Sequence, residues 1–138
     1  MNKSKFSIED HRALVLWACD CPARVLPYFE KEYPEDARPR KAIEEARAWV
    51  REKLPMKMSV IRTASLDAHA AARSTDNPAA RAAARAAGQA VATVHVPGHA
   101  SAAADYAVKA TLVAGVADER EWQYEHLPEH LRLVVFPS

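Results

Sequence analysis

Between Ala68 and Ala110 alanine fills 19 of 43 positions, interrupted by large polar residues such as His69, Arg73, Arg81, Arg85, His95, His99, Tyr106 and Lys109. Alanine is the best helix former, and a methyl-sized side chain lets neighbouring helix axes approach closely. Large polar groups inside such a stretch are either solvated or held in small gaps between helices. Three glycines in 138 residues exclude a β-rich fold, which needs more of them at its turns. The expectation is an all-α chain: one domain over residues 1–138, forming a compact bundle or short array of about five to seven helices arranged as helical hairpins.

Charge narrows the partners. A net charge of +1 offers no electrostatic pull toward nucleic acid or an anionic membrane. Met1 to Lys5 lack the apolar run of a signal peptide, and no window reaches the roughly 20 apolar residues of a membrane span. A soluble, cytoplasmic protein is expected. Cys19 and Cys21 point about 200° apart on a helix, so they cannot bridge each other there, and no second cysteine pair completes a zinc site. Two reduced core thiols follow.

Punctuation divides the chain. Ser7 followed by Asp10 marks a helix start near Ile8, and the apolar residues on two faces of that helix place it centrally in the bundle. Pro22 and Pro27 are expected to kink or divide it. Asp36 caps a second helix entered through Arg38-Pro39, with a buried stripe of Ala42, Ile43, Ala46, Trp49, Val50 and Leu54. After a connector from Pro55 to Met58, a third helix spans Ser59 to Ser74. Asn77-Pro78 opens a fourth that lasts to about His95. Pro97-Gly98 interrupts it, a fifth helix runs to Val113, and Gly115 ends that one. Asp118 opens a last helix, which Pro128 divides. The recurrence of a polar turn, a proline and an Ala/Arg helix at Pro39 and Pro78 hints at hairpin units of about forty residues.

Several constellations could carry chemistry. His126-Leu-Pro-Glu129-His130 matches a zinc-protease pattern, but Pro128 sits inside it and no third ligand follows, so an exposed polar turn is expected. His95 and His99 flank the Pro97-Gly98 break. His99, Ala102, Tyr106, Lys109 and Val113 align on one stripe of the next helix, a candidate ligand cleft with imidazole as base or metal ligand. Asp20 and Arg24 are spaced as a helical ion pair. An acid–base site could unite Asp10, His11, Asp20 and His69, though a structural salt-bridge network is favoured. Arg73, Arg81 and Arg85 read as solvated faces.

Larger blocks carry a resemblance. Asp10-His11-Arg12-Ala-Leu with Asp20, then Arg38-Pro-Arg40-Lys-Ala-Ile43, then Ala68-His69, Arg85-Ala-Ala-Gly88-Gln and His95-Val-Pro-Gly-His99 together resemble a bacterial family of small α-helical immunity proteins of polymorphic toxin systems. The likeness spans Asp10 to Arg132, and the chain departs from it at Gln89, where His is common, and at Pro97, where Ala is. The resemblance implies a non-enzymatic antidote that binds and neutralises a protein toxin, with no cofactor and no agreed catalytic residues. The polar set it carries over is Asp10, His11, Arg12, Asp20, Arg38, Arg40, His69, His95 and His99. Tyr106 and Lys109 join as binding candidates, and Trp49, Trp122 and Tyr124 as interface anchors. The competing reading is a small-ligand or metal-dependent helical enzyme using His69, His95 and His99 with Asp10 or Asp20. A self-associating helical module is the third.

Overall fold

The computed structural model describes residues 6–53, 55 and 57–137. Met1 to Lys5 and Leu54, named above, and Met56 of the connector lie outside the described residues. The architecture is all-helical: α1 (Ile8–Glu30), α2 (Arg38–Glu52), α3 (Met58–Arg73), α4 (Pro78–Ala92), α5 (His99–Val113), α6 (Glu119–His126), a 3-10 turn (Glu129–Leu131) and α7 (Arg132–Val135).

Local chemistry sets most of the boundaries. Ser7 Oγ accepts the Asp10 N–H at 3.0 Å, and Asn77 Oδ1 accepts the Ala80 N–H at 3.0 Å, so two helix starts rest on side-chain caps. Asp36 stands one residue before the N-cap position of α2, which Ala37 occupies, yet its carboxylate still accepts the Arg38 N–H at 3.1 Å. Asp118 does not cap α6 with its side chain; its backbone is left-handed, with φ 72°. Gly115, with φ 79°, follows α5 in a conformation that favours glycine.

Two expectations about helix continuity need correction. Pro22 and Pro27 do not divide α1, which continues through both to Glu30. Pro22 is fully buried, and packing around it outweighs the missing backbone hydrogen bond. α4 stops at Ala92 rather than near His95. Thr93 turns its hydroxyl back onto the Gln89 carbonyl at 3.1 Å, and the chain then leaves the helix ahead of Pro97.

The centre belongs to α4 more than to α1. α4 packs against α1, α2, α3 and α5, while α1 packs against α2, α4 and α5. Ala80, Ala82, Ala83, Ala84, Ala86, Ala87 and Ala90 are all buried, so α4 is apolar nearly all round, as an enclosed helix must be. Leu14, Val15, Trp17, Val25 and Phe29 of α1 supply the bulk that alanine lacks. Because α1 and α2 both reach α4, the arrangement is a bundle and not a solenoid, whose units touch only their neighbours.

Buried polar groups pin α6 to this core. Trp17 Nε1 donates to the Gln123 carbonyl at 2.8 Å, and Gln123 Nε2 donates to the Ala104 carbonyl at 2.9 Å. Arg24 grips the buried Glu119 carboxylate through two bonds of 2.8 and 3.1 Å, with its guanidinium stacked 4.0 Å above Trp122. A paired buried carboxylate escapes the cost of an isolated charge.

Candidate functional site

One cleft gathers three of the six histidines. It lies where the middle of α3, the last turns of α4, the turn after α4 and the start of α5 meet. Its volume is about 200 Å³, and His69, His95, His99, Gln89, Ser65 and Arg62 are in its wall. α3 contributes Arg62, Ser65 and His69 at helical spacing, which puts them on one face. The turn carries His95, and His99 is the first residue of α5.

The imidazoles are held in defined orientations. A Cβ placed on Gly88 would stand 2.7 Å from His69 Nε2 and 3.0 Å from each of its ring neighbours, Cδ2 and Cε1. Those distances put the position above the ring face, so His69 lies flat on the α4 backbone where only glycine leaves room. His69 Nδ1 accepts from Arg85 at 2.9 Å, leaving the proton of the neutral ring on Nε2. His99 Nδ1 donates to Gln89 Oε1 at 2.8 Å, so its Nε2 is an acceptor. Ser65 Oγ donates to the Gly88 carbonyl at 2.9 Å, closing the α3–α4 seam beside the ring. Burial holds both imidazoles below the ordinary histidine range, helped at His69 by Arg85, Arg73 and His99, and at His99 by His95.

The other candidates are dispersed among structural partners. Asp10 accepts from His130 Nε2 at 2.7 Å. His11 is buried, donates Nε2–H to the Thr93 carbonyl at 2.8 Å and packs 5.2 Å from the Trp49 ring. Asp20 pairs with Arg47 of α2 at 2.9 Å and not with Arg24, whose guanidinium is committed to Glu119. Arg38 is bound to Asp36, and Arg40 to Glu30. Half-buried Arg12 keeps Nε out of solvent with no partner among the described residues. Asp10, His11, Asp20 and His69 therefore have four separate sets of partners, and neither Asp10 nor Asp20 lines the histidine cleft. Tyr106 is half-buried and Lys109 exposed, farther along α5.

Among the suggested anchors, Trp49 is a core residue, Trp122 is sandwiched between Arg24 and His126, and Tyr124 is exposed. In the apparent zinc pattern His126 bonds to the Trp122 carbonyl and His130 to Asp10, so the two imidazoles do not face a common point. Among the described residues, no three His, Cys, Asp or Glu side chains come within reach of one metal ion. No helix of the described residues is long and apolar enough to cross a membrane. Nothing in the sequence marks Gln123 and Glu119 as buried, and Gly88 stands there only as part of a family-like block. Buried glutamine and glutamate look like surface residues there, while a single glycine amid alanines was a readable sign of close approach.

Comparison with known proteins agrees with this helical architecture. Residues 4–130 match the family described as Imm-5 like putative immunity protein. No curated protein and no solved structure matches the chain. With nearly its whole length covered by that match, the chain belongs to the Imm-5 like immunity-protein family.

Proposed function

We propose that this protein is a non-enzymatic antidote, which binds a partner toxin in the bacterial cytoplasm and neutralises it by occlusion. The observation that carries the reading is the family match over residues 4–130. The build of the molecule supports it. Helices packed on alanine give a rigid body that changes shape little on binding, which keeps the entropic cost of association low. Much of the bundle's exterior is charged helix face, and exposed Leu66, Val96, Leu112 and Val113 supply apolar contact. A protein interface of about 1,200–2,000 Å² needs such a surface and no reaction chemistry.

The enzymatic alternative asks for imidazoles and carboxylates at one place. His69, His95 and His99 share a cleft, while Asp10 and Asp20 are engaged by His130 and Arg47 elsewhere. The test is a search of the neighbouring genes for a toxin and co-expression of this chain with it. Restored growth and co-elution of the two chains at equal amounts are expected. Growth arrest that this chain does not relieve, with no complex formed, would refute the reading.

A further inference from the structure

The histidine cleft has a feature the fold does not use. Its polar wall carries four groups with donors to offer: Arg62, the Nε2–H of His69, the amide nitrogen of Gln89, and His95, whose ring has at least one N–H. Among the described residues, none of these four groups has an acceptor within the protein, and no Asp or Glu lines the cleft. His99 Nε2 is an acceptor at rest and becomes a donor on taking up a proton. Unpartnered donors gathered in a half-enclosed space, two of them held in place at His69 and Gln89, suit an oxyanion.

The count of charges selects which oxyanion. Arg62 is the one permanent cation in the wall, and both His69 and His99 are neutral at rest. One guanidinium balances a monoanion, whereas a phosphate group carries nearly two charges at neutral pH. Leu66, 59% exposed, lines the cleft together with Ile61 and Ala92, and this apolar side favours an anion presented on a protein chain over a free ion. We propose that this cleft is a carboxylate-binding site, which takes one Asp or Glu side chain from the partner protein. The assignment rests on reading the chain as a binder of another protein.

The groups that face the bound anion come from every wall: Arg62 and His69 from α3, Gln89 from α4, His95 from the turn and His99 from α5, with Arg85 and Arg73 behind His69. An entering carboxylate offsets these cations and permits an imidazole to protonate, so binding and proton uptake are linked.

The isolated protein tests this without any toxin. Histidine ring resonances are followed by NMR during titration with acetate, with a capped Leu-Glu-Leu peptide, with its Leu-Gln-Leu counterpart and with inorganic phosphate. Acetate and the Glu peptide are expected to give saturable shifts at His69, His95 and His99. The peptide should bind the tighter of the two, with affinity rising up to about tenfold per pH unit lowered while one proton is taken up. Arg62→Glu, on an exposed position that leaves the core intact, is expected to weaken binding about tenfold or more. Gly88→Ala, which displaces the His69 ring, is expected to abolish the shift at His69. Equal binding of the Gln peptide, tighter binding of phosphate than acetate, no saturable shift, or shifts unchanged by Arg62→Glu would each overturn the proposal. None of those results bears on whether a toxin is bound, so the two readings fail separately.

Discussion

Replacing Gly88 by alanine should do opposite things depending on His69. In a helix interior, Gly→Ala is worth about 0.8–1.0 kcal/mol of stabilisation. At this position the new methyl would sit 2.7 Å from His69 Nε2 and 3.0 Å from Cδ2 and Cε1, inside contact distance across the ring face. The ring must lift away, and with it goes the 2.9 Å bond from Arg85, worth about 0.5–1.5 kcal/mol net. Forcing bulk into a close-packed seam costs a further 1–3 kcal/mol or so. The balance is a net loss of about 0.5–3.5 kcal/mol for Gly88→Ala alone. Once His69→Ala has emptied the space, the same substitution should stabilise by about 1 kcal/mol. A double-mutant cycle by urea denaturation, read by far-UV circular dichroism, should therefore show coupling above about 1 kcal/mol. If Gly88→Ala stabilises equally with and without the imidazole, the stacked arrangement is wrong.

Three further outcomes follow from the same packing. His69 and His99 are held neutral, so the unfolded chain binds more protons than the native one as pH falls through the ordinary histidine value near 6.5. Stability should drop between about pH 7 and pH 5 in thermal melts at controlled pH, and His69→Gln should flatten that drop. Burial pushes the Cys19 thiol up to about 12 and that of Cys21 higher still, so neither should react with iodoacetamide until the protein unfolds, as mass spectrometry will read. Gln123→Ala removes the buried amide that donates to the Ala104 carbonyl and accepts from Arg120, and should cost about 2–3 kcal/mol in chemical denaturation.

The helices were legible because their signals are local. Ser7, Asn77-Pro78 and Gly115 act within a few residues of themselves, and the structure places boundaries beside each. Pro22 misled for the opposite reason: whether a helix survives a proline depends on the packing around it, which no local pattern records. The same holds for Arg24, which the i, i+4 spacing assigns to Asp20. A glutamate 95 positions away takes it instead, because α6 folds back across α1. The close spacing of His95 and His99 made their shared neighbourhood readable. His69 joins them through the packing of α3 on α4, where its ring lies on Gly88. The separation of Asp10 and Asp20 from that cleft is likewise a tertiary fact. It turns on His130 and Arg47, which lie 120 and 27 residues distant.

Stoichiometry distinguishes an antidote from an enzyme most directly. Toxin activity should be measured at a fixed toxin concentration, well above the dissociation constant, while this protein is added in steps. A binding antidote should remove activity in a straight line that ends at one equivalent of protein, independent of incubation time. Continued loss of toxin activity at a small fraction of an equivalent, progressing with time, would mean turnover and would contradict the account.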